Sequence, residues 1–232
     1  MNVFSAFDLG WRYTKRHGII LSLFLFCIYL LLNYLSYYCF PAEFWEKYAK
    51  AIASGSANVV NEVMKLVPYF EEASTKIWLL LILLYLIMAG VLNVALSIRI
   101  GETKRMNLKY MSLPFGTYLN VLTFGCMMLL IFTVSAYLLM IPFIYFSIRF
   151  IFVLPLMLEF PGTGSFEAMR KSWQMTQGQF FPLLGFCALS FAVLLVGCAC
   201  MCVGIFPAIV ICMFAFLSLY QQAKQLFLNP YL

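Results

Sequence analysis

Long apolar runs set the pattern of this chain, and the polar positions collect between them. Ile19–Cys39 is one run, and Ile77–Ile98 is another, with Asn93 and Ser97 its strongly polar members. Leu119–Leu158 then continues for 40 residues with a single charge, Arg149. At about 1.5 Å per residue that stretch would reach roughly 60 Å as helix, twice the roughly 30 Å of hydrocarbon that one span must cross. Pro142 divides it, because proline starts or breaks helices. Phe180–Val203 and Gly204–Tyr220 follow, with Gly204 and Pro207 marking a short turn. The pattern predicts an all-α polytopic membrane protein: one transmembrane domain over residues 1–232, with spans at about 19–39, 77–98, 119–141, 143–160, 180–203 and 204–220, grouped in three hairpins.

A second pattern repeats ahead of two spans. Residues 4–14 and 166–176 align without a gap at an offset of 162, pairing Phe4 with Phe166, Ala6 with Ala168, Phe7 with Met169, Gly10 with Ser172, Trp11 with Trp173 and Thr14 with Thr176. Large apolar side chains at i, i+3 and i+7 share one face of a helix. Each copy therefore reads as an amphipathic interfacial helix, at about 3–15 and 165–177. The anchoring residues are Phe4, Phe7 and Trp11 in the first and Phe166, Met169 and Trp173 in the second, with each Trp at the water boundary. In the second copy Ser165 is a candidate N-cap, and Gly178 suits the C-terminal stop. The segment Gly101–Gly116 holds the equivalent place before the third span but lacks the pattern.

The loop 41–76 carries two apolar stripes. Phe44, Trp45, Tyr48 and Ile52 form the first, and Ser54-Gly55-Ser56 ends it. Val59, Val60, Val63, Met64 and Val67 form the second, with Pro68 as its end. Two short amphipathic helices would bury these stripes against the span ends or the outer leaflet, or offer a surface to a partner.

Composition and charge then fix the class and the orientation. The chain is 64% apolar and 10% charged, against roughly 45–50% and about 25% in soluble domains. The eight cysteines lie in or beside apolar runs, where reduced thiols act as small hydrophobes. The first run is too long for a signal peptide and reads as a retained span. Residues before span one, between spans two and three, between four and five, and after six hold ten Lys and Arg against four acids; the opposite side holds four against five. By the positive-inside rule both termini are cytoplasmic.

Few polar groups are left inside the spans. Arg149 would lie about 10 Å deep in a helix starting at Pro142, at a cost of at least about 2.5–3.5 kcal/mol at a span centre. It is a candidate lipid or anion contact; snorkelling, or hydrogen bonding to a neighbouring helix's carbonyls, is the alternative. Asn33, Asn93 and Asn120 suit helix packing. Cys198, Cys200 and Cys202 alternate, so only the outer two share a helix face, and His17, the one histidine, lies at the opposite side. No metal site and no cofactor is expected. No nucleophile elbow, phosphate loop or paired zinc-ligand motif is present, so an enzyme is the weakest class.

The stretch from about 145 to 185 contains Arg149-Phe150, Pro155, Glu159, Phe166-Glu167-Ala168-Met169-Arg170-Lys171-Ser172-Trp173, Thr176 and Gly178. It resembles the membrane domain associated with bacterial glycerophosphoryl diester phosphodiesterases and the stand-alone relatives of that domain. Phe180 stands where that pattern has Trp, and no phosphodiesterase domain is appended, so that activity is not carried over. The resemblance implies a six-helix protein of the bacterial inner membrane. The resulting expectation is a non-enzymatic module that binds membrane lipids, another membrane protein or a second copy of itself, with no nucleic-acid partner. A small transporter or channel is the alternative and a membrane-embedded enzyme the second alternative.

Overall fold

The computed structural model describes residues 1–53, 66–100, 111–137, 140–199 and 204–228. Among these, α1 spans Val3–Tyr13 and passes through a wider π-helical segment, Thr14–Gly18, into α2, Ile19–Cys39. There follow α3 (Ala42–Ala53), α4 (Val67–Ile100), α5 (Phe115–Tyr137), α6 (Ile141–Arg149), α7 (Val153–Glu159), α8 (Ser165–Met175), α9 (Phe180–Ala199) and α10 (Ile205–Leu228). Six helical stretches are long and apolar enough to cross a membrane: Val3–Cys39, Ala73–Ile100, Phe115–Ser135, Pro142–Glu159, Phe180–Ala199 and Ile205–Leu228. The fold is an all-α polytopic membrane fold.

The chain divides into two compact units. The first comprises Met1–Leu23 and Leu86–Leu232. At its centre α1 runs antiparallel to α10. The Asn2 amide donates to Gln222 Oε1 at 2.9 Å, Gly10 lies against Ile211 and Ala215, and Gly18 lies near Val210. The approach is close because α1 presents Ala6 and Gly10, both buried. Small residues let helix backbones meet where lipid supplies no hydrophobic drive. Aromatic rings fill the flanks: Phe7 meets Phe186 at 5.4 Å and Tyr13 meets Phe214 at 5.6 Å. A Cβ at Gly18 would overlap the Thr14 side chain, so a glycine here lets the helix continue past Thr14 without a loop.

The second unit, Phe24–Tyr85, is bound together by aromatic contacts. Phe40 stacks on Phe44 at 4.1 Å and Tyr37 on Trp45 at 5.5 Å, while Trp45 Nε1 donates to the Tyr37 carbonyl at 3.4 Å. Lys47 donates to the Tyr69 hydroxyl at 2.5 Å and that hydroxyl donates to Glu43 at 3.3 Å. The first stripe of the 41–76 loop thus forms α3, with Phe44 only 4% exposed. Val59, Val60, Val63 and Met64 lie outside the described residues. Val67 and Pro68 open α4 rather than ending the stripe before it, and proline fits a first turn because its missing N–H would have no helical acceptor there.

The fourth span departs from the sequence expectation, which was one helix over 143–160. It breaks at residues 150–152 into α6 and α7. Pro155 supplies no N–H to the Ile151 carbonyl and its ring crowds that group, so the ladder cannot run through unbroken. At the other end of α6, Met140 takes the left-handed conformation, φ 63, and Pro142 sits in the first turn.

Candidate functional site

The two copies of the repeat, α1 (the first elbow) and α8 (the second elbow), bury the same positions. Ala6 and Ala168 are both 0% exposed, Gly10 and Ser172 are both buried, and Thr14 and Thr176 are both under 10% exposed. In each helix the threonine hydroxyl bonds the carbonyl four residues back: Thr14 to Gly10 at 2.8 Å and Thr176 to Ser172 at 3.0 Å. The docking stripe is therefore Ala, then Gly or Ser, then Thr, spaced by four on one helix face. Hydrophobic periodicity points to the large residues as the meaningful face, whereas the small ones form the face that docks.

The large residues divide. Phe4 is 79% exposed, Phe166 71% and Trp11 50%. Met169 is 9% exposed, Phe7 packs on Phe186, and Trp173 lies within about 6 Å of Tyr145, Phe146 and Phe150. Ser165 is the first residue of α8 rather than its cap, and its hydroxyl donates to the Asn120 carbonyl at 2.9 Å. Asn120 Nδ2 donates to Thr163 at 3.1 Å, so Asn120 fastens α5 to the turn before α8.

Ser172 reaches the break in the fourth span. Its Oγ donates to the Arg149 carbonyl at 2.8 Å and accepts from the Phe152 amide at 3.3 Å. One hydroxyl thus satisfies a donor and an acceptor that the broken ladder leaves over. Gly10, its counterpart, lies over an intact turn of α10: a Cβ there would meet Ile211 O at 2.8 Å and Ala215 N at 2.9 Å.

Arg149 stands at the last residue of α6, beside this splice. Its Nη1 donates to the Thr176 carbonyl at 3.0 Å and its Nε to Tyr145 Oη at 3.3 Å. The guanidinium lies over the rings of Tyr145 at 5.3 Å and Trp173 at 5.1 Å. Thr176 is the C-cap of α8, so a cation sits at the negative end of that helix. Every one of these partners is neutral, and among the described residues no carboxylate meets Arg149.

Glu159 does not pair with Arg149. It accepts from Tyr220 Oη and Lys224 Nζ, both at 2.5 Å. Lys224 also lies over Phe160 at 4.9 Å. This group joins the end of α7 to α10 and was not found in the sequence; the signal was Tyr220 and Lys224 four apart on one helix face. Cys200 and Cys202 lie outside the described residues, and among those described no cluster of three His, Cys, Asp or Glu could hold a metal.

The spliced span, the elbow docked on it, the arginine at its C-terminus and the acid at the end of α7 all fall in one continuous stretch. Residues 126–224 match the family model described as the membrane domain of glycerophosphoryl diester phosphodiesterase. The chain carries a membrane domain resembling that of these phosphodiesterases and is a multi-pass integral membrane protein. The match runs from within α5 into α10 and includes Arg149, Pro155, Glu159, Ser172, Trp173, Thr176 and Lys224. The first elbow lies outside it. No curated protein and no solved structure gives a significant match.

Proposed function

We propose that this protein is a non-catalytic membrane module that holds an anionic lipid at the second elbow, on the cytoplasmic face of a bacterial inner membrane. The observation that carries the reading is the state of Arg149, a cation among neutral partners. Arginine has five N–H donors, and Nε and Nη1 account for two of them here. Near hydrocarbon an uncompensated charge is costly, and a lipid phosphate supplies both the missing charge and the missing acceptors. Exposed Phe166 and Arg170, with Lys171 half-buried on the same short helix, suit the boundary between acyl chains and headgroups.

A transporter is the second reading, because a broken span is a common way to build a substrate site. Here the groups freed by the break are already engaged. The Arg149 carbonyl accepts from Ser172 and the Phe152 amide donates to it, which favours a sealed joint over a path. Native mass spectrometry tests the proposal. The protein extracted from membranes containing phosphatidylglycerol should retain anionic lipid, and Arg149→Gln should retain one lipid fewer per chain. Equal retention by the variant would overturn it.

A further inference from the structure

The first elbow has an arginine of its own. Arg99, near the end of α4, places its guanidinium 5.0 Å over the Tyr13 ring and donates from Nη1 to Tyr13 Oη at 3.2 Å. Tyr13 is the last residue of α1 and adjoins Thr14, the counterpart of Thr176. Each elbow therefore ends at an arginine contributed by a different span and laid on an aromatic face, 5.0 Å away at the first and 5.1 Å at the second. Arg99 is the less satisfied of the two, because its Nε is buried with no hydrogen-bond partner. Like Arg149 it meets no carboxylate among the described residues. Leaving a donor of a charged group buried and unpaired costs more than leaving a neutral one so. A phosphate on the remaining N–H donors of the guanidinium would offset its charge.

We infer that Arg99 and Tyr13 form a second site for the phosphate of an anionic lipid, equivalent to the one at Arg149. The inference rests on the lipid-binding reading of the second elbow and extends it to the first. Two further facts support it. Trp11 is 50% exposed and carries Lys15 over its ring at 5.2 Å, which adds a cation and an amphipathic ring near the same helix end. The repeat also points to it: the two elbows share one burial pattern and one threonine bond. The occupant is a lipid rather than a free phosphate because both arginines adjoin apolar spans.

Counting lipids separates the two proposals. Native mass spectra of the wild-type protein from phosphatidylglycerol-containing membranes should show two retained anionic lipids per chain. Arg99→Gln and Arg149→Gln should each retain one, and the double variant none. Arg12→Gln and Arg170→Gln, exposed arginines on the same two helices, should retain both. A wild-type protein that retains none overturns the reading of the second elbow itself. One lipid, lost only with Arg149→Gln, overturns the site at Arg99 and leaves the other standing. Arg99→Lys serves if the glutamine variant does not fold: it keeps the charge but loses the planar fork, and should weaken retention of the second lipid at least tenfold, with undiminished retention counting against the site. Inorganic phosphate added to delipidated protein should raise the melting temperature less than phosphatidylglycerol does; an equal rise would overturn a lipid as the source of the anion.

Discussion

The elbows α1 and α8 have the same burial pattern but meet different partners, and one residue records the difference. α1 lies along α10, an intact helix of 24 residues, and at the point of contact it has Gly10. α8 lies against a span broken between Arg149 and Val153, and at the same point it has Ser172. An unbroken helix has no spare backbone groups, so closest approach favours the residue without a side chain. A broken one has a spare carbonyl and a spare amide, so it favours a hydroxyl that can serve both. The neighbouring helix selects the small residue, and the repeat preserves its position.

The comparison can be broken most severely at Gly10. Gly10→Leu would drive a side chain into the Ile211 carbonyl and Ala215 amide, both backbone, which cannot move aside. Overpacking of this kind costs about 3 kcal/mol, and the melting temperature in detergent should fall accordingly. At the second elbow, Ser172→Ala leaves the Arg149 carbonyl one donor poorer and the Phe152 amide without its acceptor, at a cost of about 1–3 kcal/mol. Ser172→Gly, which makes the second elbow match the first, should be worse than alanine by roughly 0.5–1 kcal/mol, because glycine weakens a helix interior. A glycine variant as stable as wild type would show that the hydroxyl does not splice the break.

The smallest effect separates the threonines. Thr176 Oγ1 bonds Ser172 O and Trp173 O at 3.0 and 3.1 Å and reaches Arg149 O at 3.4 Å, whereas among the described residues Thr14 Oγ1 bonds only Gly10 O. Replacement by valine keeps the shape and removes the donor, so Thr176→Val should cost about 1 kcal/mol and Thr14→Val less, since one back-bond to the i−4 carbonyl adds little to a helix. Denaturant melts of the pair would rank them.

Much of the architecture was legible because span-length apolar runs have few other physical uses. The repeat was legible as well, from six matched positions in eleven residues. The break at 150–152 was not, because Phe150-Ile151-Phe152 is as apolar as its surroundings and hydropathy passes straight through it. Pro155 was the cue, and its effect falls four residues upstream, on the carbonyl of Ile151. The continuous passage from α1 into α2 was hidden by Lys15-Arg16-His17, which reads as the end of an element and instead lies in a π-helical turn. The ion pair of Glu159 with Lys224 joins residues 65 apart in sequence, so the i, i+4 spacing of Tyr220 and Lys224 marks a helix face without naming the acid it meets. Arg149 was visible as an outlier, but its partners, a carbonyl and two aromatic rings, lie on other turns and another helix.

On the proposed function, the two elbows are one device used twice, at the same face of the membrane. Single-tryptophan proteins test it most directly: one retaining only Trp11, the other only Trp173, in vesicles of known orientation containing phosphatidylglycerol. A membrane-impermeant quencher added on the cytoplasmic side should quench both, and brominated lipids should place both rings near the headgroup boundary. Quenching of the two from opposite sides, or one ring near the bilayer centre, would contradict the account.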